Sequence, residues 1–158
     1  MPTIQGTGSG QGFAFAVVVS KYHEFITGRL EAGALAALQA AGAGDAVTVV
    51  RVPGAFEIPQ AARCAAESGR FHAVVCLGCL IKGETPHFDV IASAVSHGLI
   101  AASGDTGVPM AFGVLTANSI EEAQARAADG PSNKGWEAAV AAIEMAAVVA
   151  ELSRRTDE

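Results

Sequence analysis

Four short apolar runs, each followed by a stretch with helical spacing, constrain the fold of this chain more than any other feature. Residues 13–19 read Phe-Ala-Phe-Ala-Val-Val-Val, an unbroken apolar run rich in β-branched and aromatic residues, as a strand needs when both of its faces are covered. Over residues 24–41 the apolar side chains Ile26, Leu30, Ala34, Leu35 and Leu38 recur at helical spacing, and Gly42 supplies a stop. The alternation repeats three times. A strand over 46–52 precedes a helix over 58–68, and a strand over 73–80 precedes a helix over 88–103. The last strand, 110–115, leads into a short helix over 119–128 and an alanine-rich helix over 133–154. Strands and helices alternating at this spacing imply right-handed crossovers and a parallel sheet sandwiched between two layers of helices. The expected fold is therefore an α/β three-layer sandwich with a four-stranded parallel sheet, flavodoxin-like. In such sheets ligands bind beyond the carboxyl ends of the strands, so the loops after Val19, Val52, Leu80 and Leu115 are where chemistry is expected.

Length and composition narrow the setting. A chain of 158 residues suits one hydrophobic core, and 51% apolar against 16% charged residues fits a folded protein with much buried surface. So few charges on so small a domain imply that other subunits cover part of its surface. The net charge is −6 and the longest basic run is Arg154-Arg155, so the electrostatic footprint of a nucleic-acid binder is missing. The first twelve residues have neither a basic nor an apolar segment of the kind a secretory signal carries, and no apolar stretch is long enough to span a bilayer. A cytoplasmic location and no membrane partner are the default expectation. The glycine-rich stretch Gly6-Thr-Gly-Ser-Gly-Gln-Gly12 precedes the first strand instead of following it, which rules out a dinucleotide-binding turn. It reads as a flexible arm, residues 1–12, before a single domain, 13–158.

The loops differ in what they offer. After the second strand, Pro53-Gly-Ala-Phe-Glu-Ile-Pro59 fixes an irregular backbone around one carboxylate, Glu57, which can serve as an N-terminal helix charge or hold a polyol. After the third strand, Gly78-Cys-Leu-Ile-Lys-Gly-Glu-Thr-Pro-His-Phe-Asp89 is the densest cluster of functional groups. Gly83, Glu84 and Thr85 lie just before a helix, where free N–H groups and a hydroxyl can bind an anion such as phosphate. His87 follows; an imidazole there can shuttle protons near neutral pH, or be merely structural. Asp89 can orient that ring or cap the helix. After the fourth strand, Phe112 and the turn at 115–119 reach the same edge. Arg126 and Lys134 flank a helix break and read as surface cations or as a pair that neutralises a phosphate. The histidines at 23, 72, 87 and 97 lack metal-ligand spacing. Cys76 and Cys79, three apart on a strand, point to opposite faces and exclude a chelating or redox pair.

Five segments in this order and spacing, from about residue 13 to 154, together resemble the lumazine synthase family. They are Pro53-Gly-Ala-Phe-Glu-Ile-Pro59, Leu77-Gly-Cys-Leu-Ile-Lys-Gly-Glu-Thr-Pro-His-Phe-Asp89, Phe112-Gly-Val-Leu-Thr116, Asn133-Lys-Gly135 and Ala142-Ile-Glu-Met145. The resemblance implies an enzyme of riboflavin biosynthesis, without metal or bound cofactor. Its substrates would be 5-amino-6-(D-ribitylamino)uracil and 3,4-dihydroxy-2-butanone 4-phosphate, joined to 6,7-dimethyl-8-ribityllumazine with release of phosphate.

By the same resemblance Tyr22 stacks on the pyrimidine, in place of the more usual phenylalanine or tryptophan. Ala55 and Glu57 hold the ribityl chain, Phe56 between them is a further substrate-binding residue, and Cys79, Leu80 and Ile81 meet the pyrimidine. Gly83, Glu84, Thr85 and Arg126 bind phosphate, and His87 moves protons. Phe112 closes the site from a neighbouring subunit, with Lys134 and Glu137 supplying charge at that wall. The assembly implied is a pentamer, twelve of which pack into an icosahedral shell in some members, with the N-terminal arm free to add a strand to a neighbour. Riboflavin synthase is a candidate partner. The competing reading is a non-catalytic protein of the same fold that stores or carries a flavin or lumazine; His87 and the phosphate-binding groups favour the enzyme.

Overall fold

Phe15–Ser20 (β1) is buried along its whole length, as its unbroken apolar sequence requires. It pairs in parallel with Val47–Val52 (β2) on one side and Ala73–Ile81 (β3) on the other, with Phe15 opposite both Val47 and Ala73. Met110–Ala117 (β4) pairs with β3, which gives the strand order β2-β1-β3-β4. This is the flavodoxin-like α/β sandwich expected, and the chain order reverses between β1 and β3. The computed structural model describes residues 1–154; the last four residues of the span 13–158 lie outside the described residues.

Alternation along each strand divides the core into two layers. Phe15, Val17, Val19, Val75, Leu77 and Cys79 face helices Glu24–Ala40 (α1) and Lys134–Arg154 (α5), meeting Ile26, Leu30, Leu38 and Ile143. Ala16, Val18, Val74 and Cys76 face Ile58–Glu67 (α2) and His87–Thr106 (α3), meeting Ile58, Ala62, Val95 and Leu99. Cys76 and Cys79 thus lie on opposite faces of the sheet, as the strand period dictates. The short helix Ile120–Arg126 (α4) follows β4 and buries Ala123 on the α1 and α5 side.

Most boundaries fall within two or three residues of those expected, and the differences have local causes. β1 begins at Phe15 because Gly12 turns the chain with φ 84° and the Phe13 N–H bonds back to the Gly10 carbonyl at 3.1 Å. β3 and β4 run further than expected because their ladder continues to Ile81 opposite Ala117. α3 runs to Thr106, where Gly107 adopts φ 73° and donates its N–H to the Ser103 carbonyl at 2.9 Å.

The start of α5 is held by Asn133, which is almost fully buried. Its Oδ1 accepts from the Gly135 and Trp136 N–H groups at 2.8 and 3.1 Å, while Nδ2 donates to the carbonyls of Arg29 and Ala127 at 3.2 and 3.0 Å. One side chain therefore caps α5, ties it to α1 and closes the loop from α4. A Cβ at Gly135 would overlap the Leu30 carbonyl, so only glycine permits this approach of α5 to α1. At the chain start, Gly6 packs against the backbone of Glu144 in α5, and the Gly10 N–H donates to the Ala41 carbonyl at 2.8 Å. Among the described residues no helix is long and apolar enough to cross a membrane, and no group of three or more His, Cys, Asp or Glu side chains is arranged to hold a metal ion.

Candidate active site

The loops leaving β1, β2 and β3 meet at the carboxyl edge of the sheet and enclose a cavity of about 480 Å³. Ten of the residues expected in the site line it: Tyr22, Ala55, Phe56, Glu57, Cys79, Leu80, Ile81, Gly83, Thr85 and His87. Each wall follows from its local backbone. After β2, Pro53 and an extended Gly54 lead into a turn of 3-10 helix, Ala55–Glu57, closed by the Glu57 N–H on the Gly54 carbonyl at 3.2 Å. Pro59 then fixes the first turn of α2. Glu57 occupies the N-cap position of α2 without capping it through its side chain, so its carboxylate is left to the cavity.

The floor is the end of β3. Cys79 is buried against the α1 face, and desolvation pushes its thiol up to about 11; the deeper Cys76 is pushed up to about 12. Neither sulfur is a thiolate at neutral pH, so neither serves as a nucleophile. Leu80 and Ile81 are half-buried and line the cavity.

The turn after β3 places Thr85 beside the start of α3, where its Oγ1 accepts the His87 N–H at 3.4 Å. α3 has Pro86 at its N-cap and no side-chain cap, so first-turn N–H groups remain available at the positive end of a 20-residue helix. A helix start of this kind can receive an anion, and His87 lines the cavity beside it. Glu84 sits in the same turn without lining the cavity. Asp89 neither caps α3 nor bonds to the His87 ring, so neither role expected of it is seen among the described residues.

The remaining expected residues are elsewhere on the chain. Phe112, Arg126 and Lys134 line a separate cavity of about 400 Å³ between β4 and α5, together with Glu137. Phe112 is 52% exposed although it is aromatic and lies in a central stretch of β4. The Arg126 guanidinium pairs with Glu122 at 3.0 Å, and the Lys134 ammonium with Glu137 at 2.9 Å, both at the surface. The phosphate-binding set expected from sequence is therefore divided: Gly83, Glu84 and Thr85 lie on the first surface and Arg126 on the second. One chain carries two unlike cavities, one lined by His87 and the turn after β3, the other by an aromatic and two cations.

Five cavity residues were not anticipated as site residues. Phe88, Ile91 and Ile120 form an apolar wall; Phe88 and Ile91 lie in the helical stretch legible from the sequence, whereas Ile120 opens the short helix after β4. Gly54, in the loop after β2, is the fourth, and His23 the fifth; His23 follows Tyr22 directly, and partial burial lowers its pKa.

Residues 12–150 match the family described as 6,7-dimethyl-8-ribityllumazine synthase. The 6,7-dimethyl-8-ribityllumazine synthase of Syntrophus aciditrophicus (strain SB) is 52% identical over 147 residues, which span 92% of this chain and 96% of that relative. With the matched span taking in all four strands and the residues of both cavities, this chain belongs to the 6,7-dimethyl-8-ribityllumazine synthase family.

Proposed function

We propose that this protein condenses 5-amino-6-(D-ribitylamino)uracil with 3,4-dihydroxy-2-butanone 4-phosphate to give 6,7-dimethyl-8-ribityllumazine, with release of one phosphate and two waters. The pyrimidine's 5-amino nitrogen forms an imine with the ketone and expels water. Phosphate then leaves, and the ribitylamino nitrogen closes the second ring with loss of the other water. Every step is a proton transfer, an addition or an elimination, so the protein's work is positioning, anion stabilisation and proton shuttling.

The single observation that carries this reading is the convergence of Tyr22, Glu57, the Cys79–Ile81 edge, Thr85 and His87 on one cavity. Tyr22 supplies a ring for stacking, and Ala55, Phe56 and Glu57 face a polyol chain. Gly83, Glu84 and Thr85 at the α3 N-terminus receive the phosphate, and His87 moves protons between nitrogen and oxygen. Phe112, Arg126 and Lys134 reach this cavity from a neighbouring copy, Arg126 meeting the phosphate in bidentate fashion. Support for a shared site comes from an exposed Phe112 and two surface cations gathered in a second cavity on the same chain.

The assembly that closes such sites is a homo-pentamer, and twelve pentamers can form a shell. Residues 1–12, which in the single chain pack on α5 through Gly6 and are tied to Ala41 through Gly10, would detach on assembly to add a strand to a neighbour, and riboflavin synthase is the partner that consumes the product. A cytoplasmic location fits these substrates. The test mixes purified protein with both substrates and follows lumazine fluorescence and phosphate release against a protein-free control, because the condensation proceeds slowly unaided. Acceleration of both signals in equal molar amounts is expected; tight flavin or lumazine binding without acceleration would leave a carrier.

A further inference from the structure

His23 is the only non-glycine residue among those described with a left-handed backbone, at φ 60° and ψ 48°. Histidine is one of the few side chains that tolerates this region, and such outliers gather where function fixes the chain. The backbone around it is pinned on both sides. The Lys21 and Tyr22 N–H groups donate to the Val52 and Pro53 carbonyls at 2.8 and 3.2 Å, and the His23 carbonyl accepts from Ile26 and Thr27 at 2.8 and 3.0 Å. The imidazole makes no capping bond to α1, although His23 is its N-cap residue.

The ring stands edge-on to Tyr22, with centroids 4.4 Å apart and planes at 64°, and edge-on to Phe25 at 6.0 Å and 84°. Tyr22 is 66% exposed, and no other described ring packs against it. An aromatic side chain so exposed swings between rotamers unless a neighbour stops it. Both Tyr22 and His23 line the cavity.

We infer that His23 is a positioning residue: its imidazole, aimed by the left-handed backbone, holds the Tyr22 ring as the wall on which the pyrimidine stacks. The inference rests on the reaction proposed above, since only a stacked reactant gives the Tyr22 ring a preferred orientation to keep. Desolvation lowers the pKa of His23, which favours a neutral ring with an aromatic edge over a hydrated cation.

Tyr22 is the single tyrosine of the chain, so 3-fluorotyrosine labelling places one fluorine reporter on the ring in question. His23→Asn keeps a side chain that accepts the left-handed backbone and removes the ring; His23→Phe restores a ring. In His23→Asn the fluorine resonance is expected to move toward that of free 3-fluorotyrosine. The KM for the pyrimidine rises about five-fold, the scale of one lost aromatic edge contact, while kcat and the KM for the sugar phosphate stay within about two-fold. His23→Phe brings the pyrimidine KM part of the way back. An unchanged resonance together with an unchanged pyrimidine KM in His23→Asn overturns the inference. If the wild-type protein makes no lumazine, the functional reading falls instead, and the fluorine signal alone still decides whether His23 holds Tyr22.

Discussion

At the scale of single residues, the cavity holds several titratable groups with different work to do. His87 stands at a helix start with no side-chain cap, whereas the two sheet cysteines are kept neutral by burial. His87→Ala is expected to lower kcat roughly 10- to 100-fold, at or below the low end for a positioned general acid–base, with both KM values within about two-fold. Steady-state kinetics at saturating substrates checks this, and a wild-type kcat removes the imidazole from proton transfer. The thiols give an independent check on burial. Alkylation of the folded protein at pH 8 labels the exposed Cys64 alone, because Cys76 and Cys79 are raised to about 12 and about 11 and shielded from reagent. Unfolding exposes all three, and peptide mass spectrometry reads the difference.

At the scale of elements, α5 depends on Asn133, whose amide joins a helix cap to two distant carbonyls. Asn133→Ala removes the cap and leaves buried carbonyls and N–H groups unpaired, so it is expected to cost about 2–4 kcal/mol, measured as a lower urea midpoint with unchanged slope. Asn133→Asp keeps Oδ1 and replaces a donor by a charge, and is expected to be no better. This role was hidden in the sequence, where Asn133 reads only as the start of a helix; its partners at Arg29 and Ala127 are set by tertiary packing. The elements themselves were legible, because β1 and β3 carry unbroken apolar runs and α1 carries its stripe from Ile26 to Leu38. Their ends were less so: Gly12, Gly107 and the ladder pair Ile81 and Ala117 decide them through backbone geometry that no side-chain pattern announces. The same limit hid His23, since a left-handed histidine is invisible until φ is known. Glu57, Thr85 and His87 were legible because each follows a readable strand.

At the scale of the whole molecule, the charge-poor composition and the two separate cavities support the proposal that a second copy completes the site. Arg126→Ala should then raise the KM for the sugar phosphate by an order of magnitude or more, as losing a charge-assisted phosphate contact does, and leave pyrimidine affinity intact by titration calorimetry. The most direct measurement of the central claim uses both half-sites at once. His87→Ala and Arg126→Ala proteins, each assayed alone at limiting sugar phosphate, are dissociated, mixed in equal amounts and reassembled. If each site joins the β3 turn of one copy to Arg126 of the next, random assembly in a ring pairs two intact halves at about one site in four, and activity rises to roughly a quarter of wild type. If both halves belong to the same chain, the mixture shows only the average of the two variants, and the shared site is contradicted.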